Sequence, residues 1–355
     1  MIPSMMTRSK ETFFISLNFW RLSNPCTLKH SRSLLLWLFC LIVLFSNSVF
    51  CKSTYQGRTY LDHNELSNFW GMRWGWIKLN EKIQLRSQWT SVTYEKHKRT
   101  LSLNGYQVAL GFPIFEKNGL LYLSELDQKN TLLPILDPHH ISVPPKLYSI
   151  VLDPGHGGKD TGAISPHGGT YEKTITLKVA KILQQKLQDF GYAVTLTRNK
   201  DQYLSLEKRP QIANTNNADL FISIHANAAN NARVQGVETF VFTPWKMPST
   251  GKNLHRSDSF KQSGNANQLC NTLVGFYLQK ELVNTSHSPD RGLKHARFAV
   301  LKHAKVPAAL VELGFLTNAT EAKKLSNHSY QINLADGLLK GILNYQKTLN
   351  RIRNR

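Results

Sequence analysis

The sequence predicts an α/β protein: a mostly parallel sheet sandwiched by helices, preceded by a small strand-rich domain. Three observations predict it. From residue 148 onward, short apolar runs alternate with stretches of helical periodicity, the pattern of a sheet covered by helices. Before about residue 133 the pattern is two-residue alternation broken by turn residues. Between the two lie Pro134, Pro138, Pro144 and Pro145, which read as a linker over 134–147. The chain therefore divides into a leader (1–51), a small strand-rich unit (52–133), the linker, a larger α/β unit (148–346) and a short basic tail (347–355).

The leader carries Arg8, Lys10, Arg21, Lys29 and Arg32 against the single acid Glu11. An apolar stretch follows over 34–45, too short for a typical transmembrane helix and suited to the core of a signal peptide. Ser46 and Ser48 are small residues where a signal peptidase reads. The competing reading is an uncleaved anchor; lipidation of Cys51 is disfavoured by the bulky Phe50 before it. Most of the formal net charge of +21 belongs to the rest of the chain. Such a surface is drawn to polyanions, whether nucleic acid, anionic membrane or acidic wall polymer. Zinc-finger spacing and aromatic RNA-binding motifs are missing, which disfavours nucleic acid. Any membrane attachment is expected only through the uncleaved leader. Cys26 and Cys40 lie well inside the leader, and Cys51 at its end and Cys270 remain, leaving a single disulfide open.

In the small unit, Tyr60 to Leu66 is expected to open a short helix, and Trp70, Trp74 and Trp76 cluster after it. They read either as core or as a sugar-stacking surface. Alternating segments around Ile83, Val92 and Leu101 lead to Asn104-Gly105, a hairpin turn, and Asn118-Gly119 marks another. The segments Leu101-Ser102-Leu103-Asn104-Gly105, Val108-Ala109-Leu110 and Leu120-Leu121-Tyr122-Leu123-Ser124 resemble the small domain at the N-terminus of copper amine oxidases, reused in bacterial wall proteins. That resemblance implies an accessory domain without copper.

In the larger unit, 148–152 is a buried strand ending at Asp153-Pro154-Gly155, with His156 between glycines that permit close approach. Ile175, Val179, Ile182, Leu183, Leu187 and Phe190 recur at helical spacing from Glu172, and Gly191 stops the helix. Strands are expected at 192–198, 218–224, 236–242, 298–301 and 308–313. Helices are expected around Leu269 to Tyr277 and over 332–345, and a polar open loop over 243–264.

Four residues stand where an element starts or stops: His156, Glu172, His225 and Glu312. Strand ends of an open α/β sheet gather along one edge, so these groups can converge. Two imidazoles and a carboxylate suit zinc, with a position left for water. A second carboxylate can take the proton of that water and pass it to a leaving amine, which is amide hydrolysis. Asp153 is placed to orient the His156 ring. Taken singly, Glu172 is also a favoured helix-start charge, and His225 can be a buried structural histidine. Glu312 lies in Ala308-Ala309-Leu310-Val311-Glu312-Leu313-Gly314-Phe315, where an idle carboxylate is costly. His167 and His295 read as solvated residues or substrate contacts.

At these residues the chain resembles a known family. Leu152-Asp153-Pro154-Gly155-His156-Gly157-Gly158, Tyr171-Glu172-Lys173, Ser223-Ile224-His225-Ala226-Asn227, Gly236-Val237-Glu238-Thr239, Asp290-Arg291-Gly292 and Val311-Glu312-Leu313-Gly314-Phe315-Leu316-Thr317-Asn318 are similar, in order, to the zinc-dependent N-acetylmuramoyl-L-alanine amidases of bacterial peptidoglycan. The resemblance implies Zn(2+) on His156, Glu172 and His225, and Glu312 as the catalytic carboxylate. It implies an extracytoplasmic site of action and peptidoglycan as partner. Some family members carry a helical insert that blocks the zinc until an activator moves it; the polar 243–264 is expected to leave the site open. Two rival readings remain: a serine-type site at Ser205-Leu206-Glu207-Lys208 with Ser263-Gly264-Asn265, and a wall-binding protein with a dead site.

Overall fold

The computed structural model describes residues 53–142 and 146–354. The leader, with its expected signal peptide or anchor, and Cys51 lie outside the described residues, as do Pro144 and Pro145 of the expected linker.

The small unit opens with β1 (Ser53–Tyr55), β2 (Arg58–Asp62) and helix α1 (His63–Trp70). The helix expected to open over 60–66 starts only after Asp62, because Tyr60 and Leu61 belong to β2. The Asp62 carboxylate accepts from the backbone N–H of Asn64 and Glu65, and Glu65 accepts from the N–H of Asp62, so two otherwise orphaned donors are satisfied reciprocally. Strands β3 (Arg73–Lys78), β4 (Lys82–Arg86), β5 (Ser91–Glu95), β6 (Thr100–Leu103) and β7 (Tyr106–Ala109) form an antiparallel meander. β8 (Phe115–Lys117) and β9 (Leu120–Ser124) pair as a hairpin and join β2 and β1 in a four-stranded sheet. Both expected Asn-Gly turns are found, with positive φ at Asn104 and Gly105 and at Asn118 and Gly119. The start of the expected linker is not extended: helical turns occupy Leu133–Leu136 and Pro138–His140.

The larger unit holds β10 (Ser149–Pro154), α2 (Glu172–Asp189), β11 (Ala193–Leu196), α3 (Lys208–Thr215), β12 (Leu220–Asn227), β13 (Val237–Phe242), α4 (Gln268–Ser286), β14 (Asp290–Ala296), β15 (Ala308–Phe315), α5 (Ala319–Ser326) and α6 (His328–Arg353). Its strands belong to an eleven-stranded sheet in the order β11-β10-β12-β15-β13-β14-β7-β6-β5-β4-β3. The sheet is mixed rather than mostly parallel. β11, β10, β12 and β15 run parallel, as do β13 and β14, but β13 lies antiparallel to β15. β7 joins β14 through Val108 and Leu293, so the meander continues the same sheet.

Helices cover both faces. α2, α4 and α6 pack on one, around Ile150, Leu152, Val179, Leu183, Ile222, Val311 and Leu338. On the other, Ala213 of α3 and the short turn Ala299–Lys302 pack over Val151, Phe221, Phe242 and Leu310. That turn corrects the expected strand at 298–301; the real strand there is β14. Val300 and Leu301 are buried by turning inward after an extended Phe298, and four apolar residues alone do not distinguish a strand from a helical turn. The expected basic tail is likewise helical through Arg353, with Thr348 and Leu349 buried.

Candidate active site

β10 delivers His156 through a backbone that only a few side chains tolerate. His156 itself has a φ of 62°, and Gly157 and Gly158 are also positive. Two buried arginines hold this turn by its carbonyls. Arg209 donates to the carbonyls of Pro154 and His156, each at 2.9 Å, and to Asp153 Oδ1. Arg198 donates to Pro154 at 2.9 Å and to Gly155 at 2.8 Å. The sequence marks neither arginine, because a buried guanidinium looks like a surface one until its partners are known.

The His156 ring is oriented by Asp160, not by Asp153. Nδ1 lies 2.9 Å from Asp160 Oδ1, which leaves Nε2 facing inward. Asp153 points into the sheet, where it accepts from Thr197, Ser223 and Arg209 and is fully buried. The left-handed turn at His156 reverses the chain, and so brings the residue four positions later, rather than three earlier, beside the ring.

Glu172, at the first turn of α2, sits between the two histidines. Its Oε1 is 3.1 Å from His156 Nε2 and 2.9 Å from His225 Nδ1. It also accepts from the backbone N–H of Ala163 and Ala226. Burial alone would raise the Glu172 carboxyl, but the two imidazoles hold it well below the usual carboxylate range. Burial opposes protonation of His156, and Glu172 and Asp160 outweigh it, so its pKa is raised.

Donor atoms of His156, Glu172 and His225 all lie within 4.8 Å of one another. Two nitrogens and one carboxylate oxygen are a donor set that fits zinc. The glycines of the turn supply the room for it. A Cβ on Gly155 would overlap the His225 ring, and one on Gly162 would lie 2.6 Å from His156 Cδ2, so no other residue fits at either place.

Glu312 faces His225 directly, since the two are register partners on β15 and β12. Its side chain is buried and Oε2 has no hydrogen-bond partner. Burial, with the nearby charges of Glu172 and Glu238, raises its carboxyl well above the ordinary value, against the opposing pull of Lys294. Glu238, register partner of Glu312 on the other side, is a second buried carboxylate whose environment the sequence did not reveal. It accepts from Asn227, Arg291 and Lys294.

Other candidates fall away from this cluster. His295 lies near the far end of β14, fully buried, and His167 is exposed in a loop. The loop over 243–264 leaves β13 at the edge opposite Glu312, because β13 runs antiparallel to β15. It is tied down there by Arg99 to Lys252 and Arg297 to Asp258. Ser205 precedes α3 in a loop and Lys208 is exposed; Asn265 instead caps a turn through Thr243 and Gln262. Trp74 is 38% exposed and packs edge-on to His63 and Trp76, while Trp70 and Trp76 are partly buried against the core, so the group is part core and part surface.

A mixed α/β sheet that brings two imidazoles and a carboxylate together at one edge, with a protonatable carboxyl on the adjoining strand, defines a hydrolase class of site. The sequence profile of N-acetylmuramoyl-L-alanine amidase matches residues 150–344. The chain belongs to the N-acetylmuramoyl-L-alanine amidase family. It is 34% identical over 197 residues to the uncharacterised protein YqiI of Bacillus subtilis, covering 56% of this chain and 84% of that one. It is 35% identical over 199 residues to the N-acetylmuramoyl-L-alanine amidase LytC of the same organism, covering 56% of this chain but 36% of LytC. With the N-acetylmuramoyl-L-alanine amidase AmiA of Escherichia coli it shares 31% identity over 218 residues, 55% of this chain and 75% of AmiA.

Proposed function

We propose that the chain is an exported zinc hydrolase of peptidoglycan. It cleaves the amide between the lactyl group of N-acetylmuramic acid and L-alanine of the stem peptide. His156, Glu172 and His225 hold the metal and Glu312 moves the proton. The observation that carries this reading is the convergence of an imidazole–carboxylate–imidazole set with an unpartnered carboxyl oxygen on the facing strand.

A zinc ion held there supplies Lewis-acid polarisation of the scissile carbonyl and the attacking water, and positive charge that favours the carboxylate form of Glu312. Glu312 accepts the proton of the water at Oε2 as the water oxygen bonds to the lactyl carbonyl carbon. It returns that proton to the alanine nitrogen as the carbon–nitrogen bond breaks. The products are a free muramic carboxylate and a stem peptide with a free amino terminus. Asp160 keeps the His156 tautomer fixed throughout.

Export follows from the substrate, which lies outside the cytoplasmic membrane, and from the leader at 1–51. Among the described residues no helix is long and apolar enough to cross a membrane. The 243–264 loop leaves the far edge of the sheet, so we assign it no blocking role and expect activity without an activator protein. Residues 52–133 serve as an accessory segment on this reading.

The test is metal content against activity. Elemental analysis is expected to find one zinc per wild-type chain, and none after His225→Ala. Chelation is expected to stop release of amino termini from peptidoglycan, with zinc restoring it. Full activity in chelator-stripped protein would overturn the proposal.

A further inference from the structure

Beyond the cluster, the same face of the sheet carries a second charged group that proton transfer does not use. Glu238 is buried, with its side chain 4% exposed, and it anchors two cations from β14. Arg291 donates through Nε at 2.8 Å, and the ammonium of Lys294 binds the same carboxylate oxygen. The one carboxylate oxygen Oε2 of Glu238 thus holds both cations. Neither cation is withdrawn from solvent: their side chains remain 33% and 19% exposed.

Their geometry is fixed from beneath. The Arg291 guanidinium lies over the Phe315 ring at 4.8 Å, and Lys294 lies 5.6 Å from the Phe240 ring centre. Because Nε of Arg291 is committed to Glu238, the outer edge of its guanidinium, with both Nη groups, is left for another partner. No hydrogen bond of either Nη is found among the described residues. A planar guanidinium held in this way is preorganised for a carboxylate, which it meets through two parallel donors.

The position relative to the chemistry is set by register. Glu238 is paired with Glu312, and Arg291 and Lys294 belong to the next strand. Neighbouring strands lie about 5 Å apart, so the cations stand roughly 10 Å or less from the proton-transfer group. An extended peptide advances about 3.3 Å per residue. A carboxylate carried two to three residues beyond the scissile amide, one to two beyond the alanine, would therefore reach them.

We infer that Arg291 and Lys294, held by Glu238, form a specificity subsite for a free carboxylate on the stem peptide, one to two residues beyond the alanine released. The inference rests on the amidase reading above. On this account the subsite selects anionic stems and discriminates against stems whose carboxylate is amidated.

The experiment compares kcat/KM of the zinc-loaded protein on two muramoyl peptides, identical except that this carboxylate is free in one and amidated in the other. Wild type is expected to prefer the free acid by about tenfold or more, the size of a lost charge-assisted contact of roughly 1.5–3 kcal/mol. Arg291→Gln is expected to lose at least tenfold more on the acid than on the amide, so the preference collapses. Arg291→Lys is expected to restore part of it, which a general folding defect would not do. If wild type cleaves both peptides equally, or Arg291→Gln lowers both by the same factor while its melting temperature is unchanged, the subsite is refuted and the amidase reading stands. If wild type cleaves neither, the amidase reading fails and takes the subsite with it.

Discussion

Glu172 and Glu312 are the same residue type with acidities shifted in opposite directions, and their surroundings separate them. Burial raises both carboxyls, but the two imidazoles reverse the shift at Glu172, whereas the charges of Glu172 and Glu238 add to it at Glu312. Asp160→Asn removes the group that orients His156 without touching the donor set. Competition with a chelating dye should show zinc affinity lowered about 10- to 100-fold. A different residue governs acid stability. Burial, helped by Arg99, lowers the His295 pKa to about 4. The unfolded chain takes up that proton near pH 6.5, so between pH 6.5 and 4 it binds more protons than the folded one. Stability from this group is therefore lost as pH falls through that window, by up to about 3 kcal/mol. His295→Phe should flatten the dependence of melting temperature on pH between 6.5 and 4. At this scale the sequence was most informative where a residue ends an element: His156, Glu172, His225 and Glu312 converge as expected. It misled at Asp153 and missed Asp160, because choosing between carboxylates on either side of a histidine needs the path of the turn. Arg198, Arg209 and Glu238 were hidden for a related reason, since their role comes from partners on other strands.

Elements were legible where a local signal was complete. The two Asn-Gly hairpins and the Ile175-to-Leu187 stripe formed as expected, each being decided within one turn or one helix. Strand direction was not legible. Nothing in the composition of 237–242 says that β13 returns antiparallel between β15 and β14, and that reversal is what sets Glu238 beside Glu312. Helix packing offers a test of long-range constraint. Gly341 of α6 meets α4 so closely that a Cβ would lie 2.9 Å from Leu278 Cα, a backbone atom. Alanine is the better helix former by about 1 kcal/mol, yet here crowding outweighs it. Gly341→Ala should destabilise the protein by roughly 1–3 kcal/mol, read as a lower midpoint in urea unfolding.

Across the whole molecule, the strand-rich segment is structurally continuous with the α/β unit. Val108 pairs with Leu293, Tyr106 hydrogen-bonds Asn284, and the N–H of Gln107 donates to Asp290. The change of pattern near residue 134 is real in the sequence, but it does not interrupt the sheet. A chain beginning at 148 would leave the β14 edge uncovered, with the aggregation hazard of an open strand. Calorimetry should give one cooperative transition for a chain spanning 53–355 and a lower, less reversible one for 148–355. The central claim concerns the division of labour at the sheet edge, and one comparison tests it most directly. Purified peptidoglycan is digested with wild type and with Glu312→Gln, each carrying one zinc per chain, and released stem peptides are identified by mass spectrometry. The account predicts peptides with free N-terminal alanine from wild type, and release slower by about 10²–10⁴-fold from Glu312→Gln. Release by Glu312→Gln at the wild-type rate would contradict it.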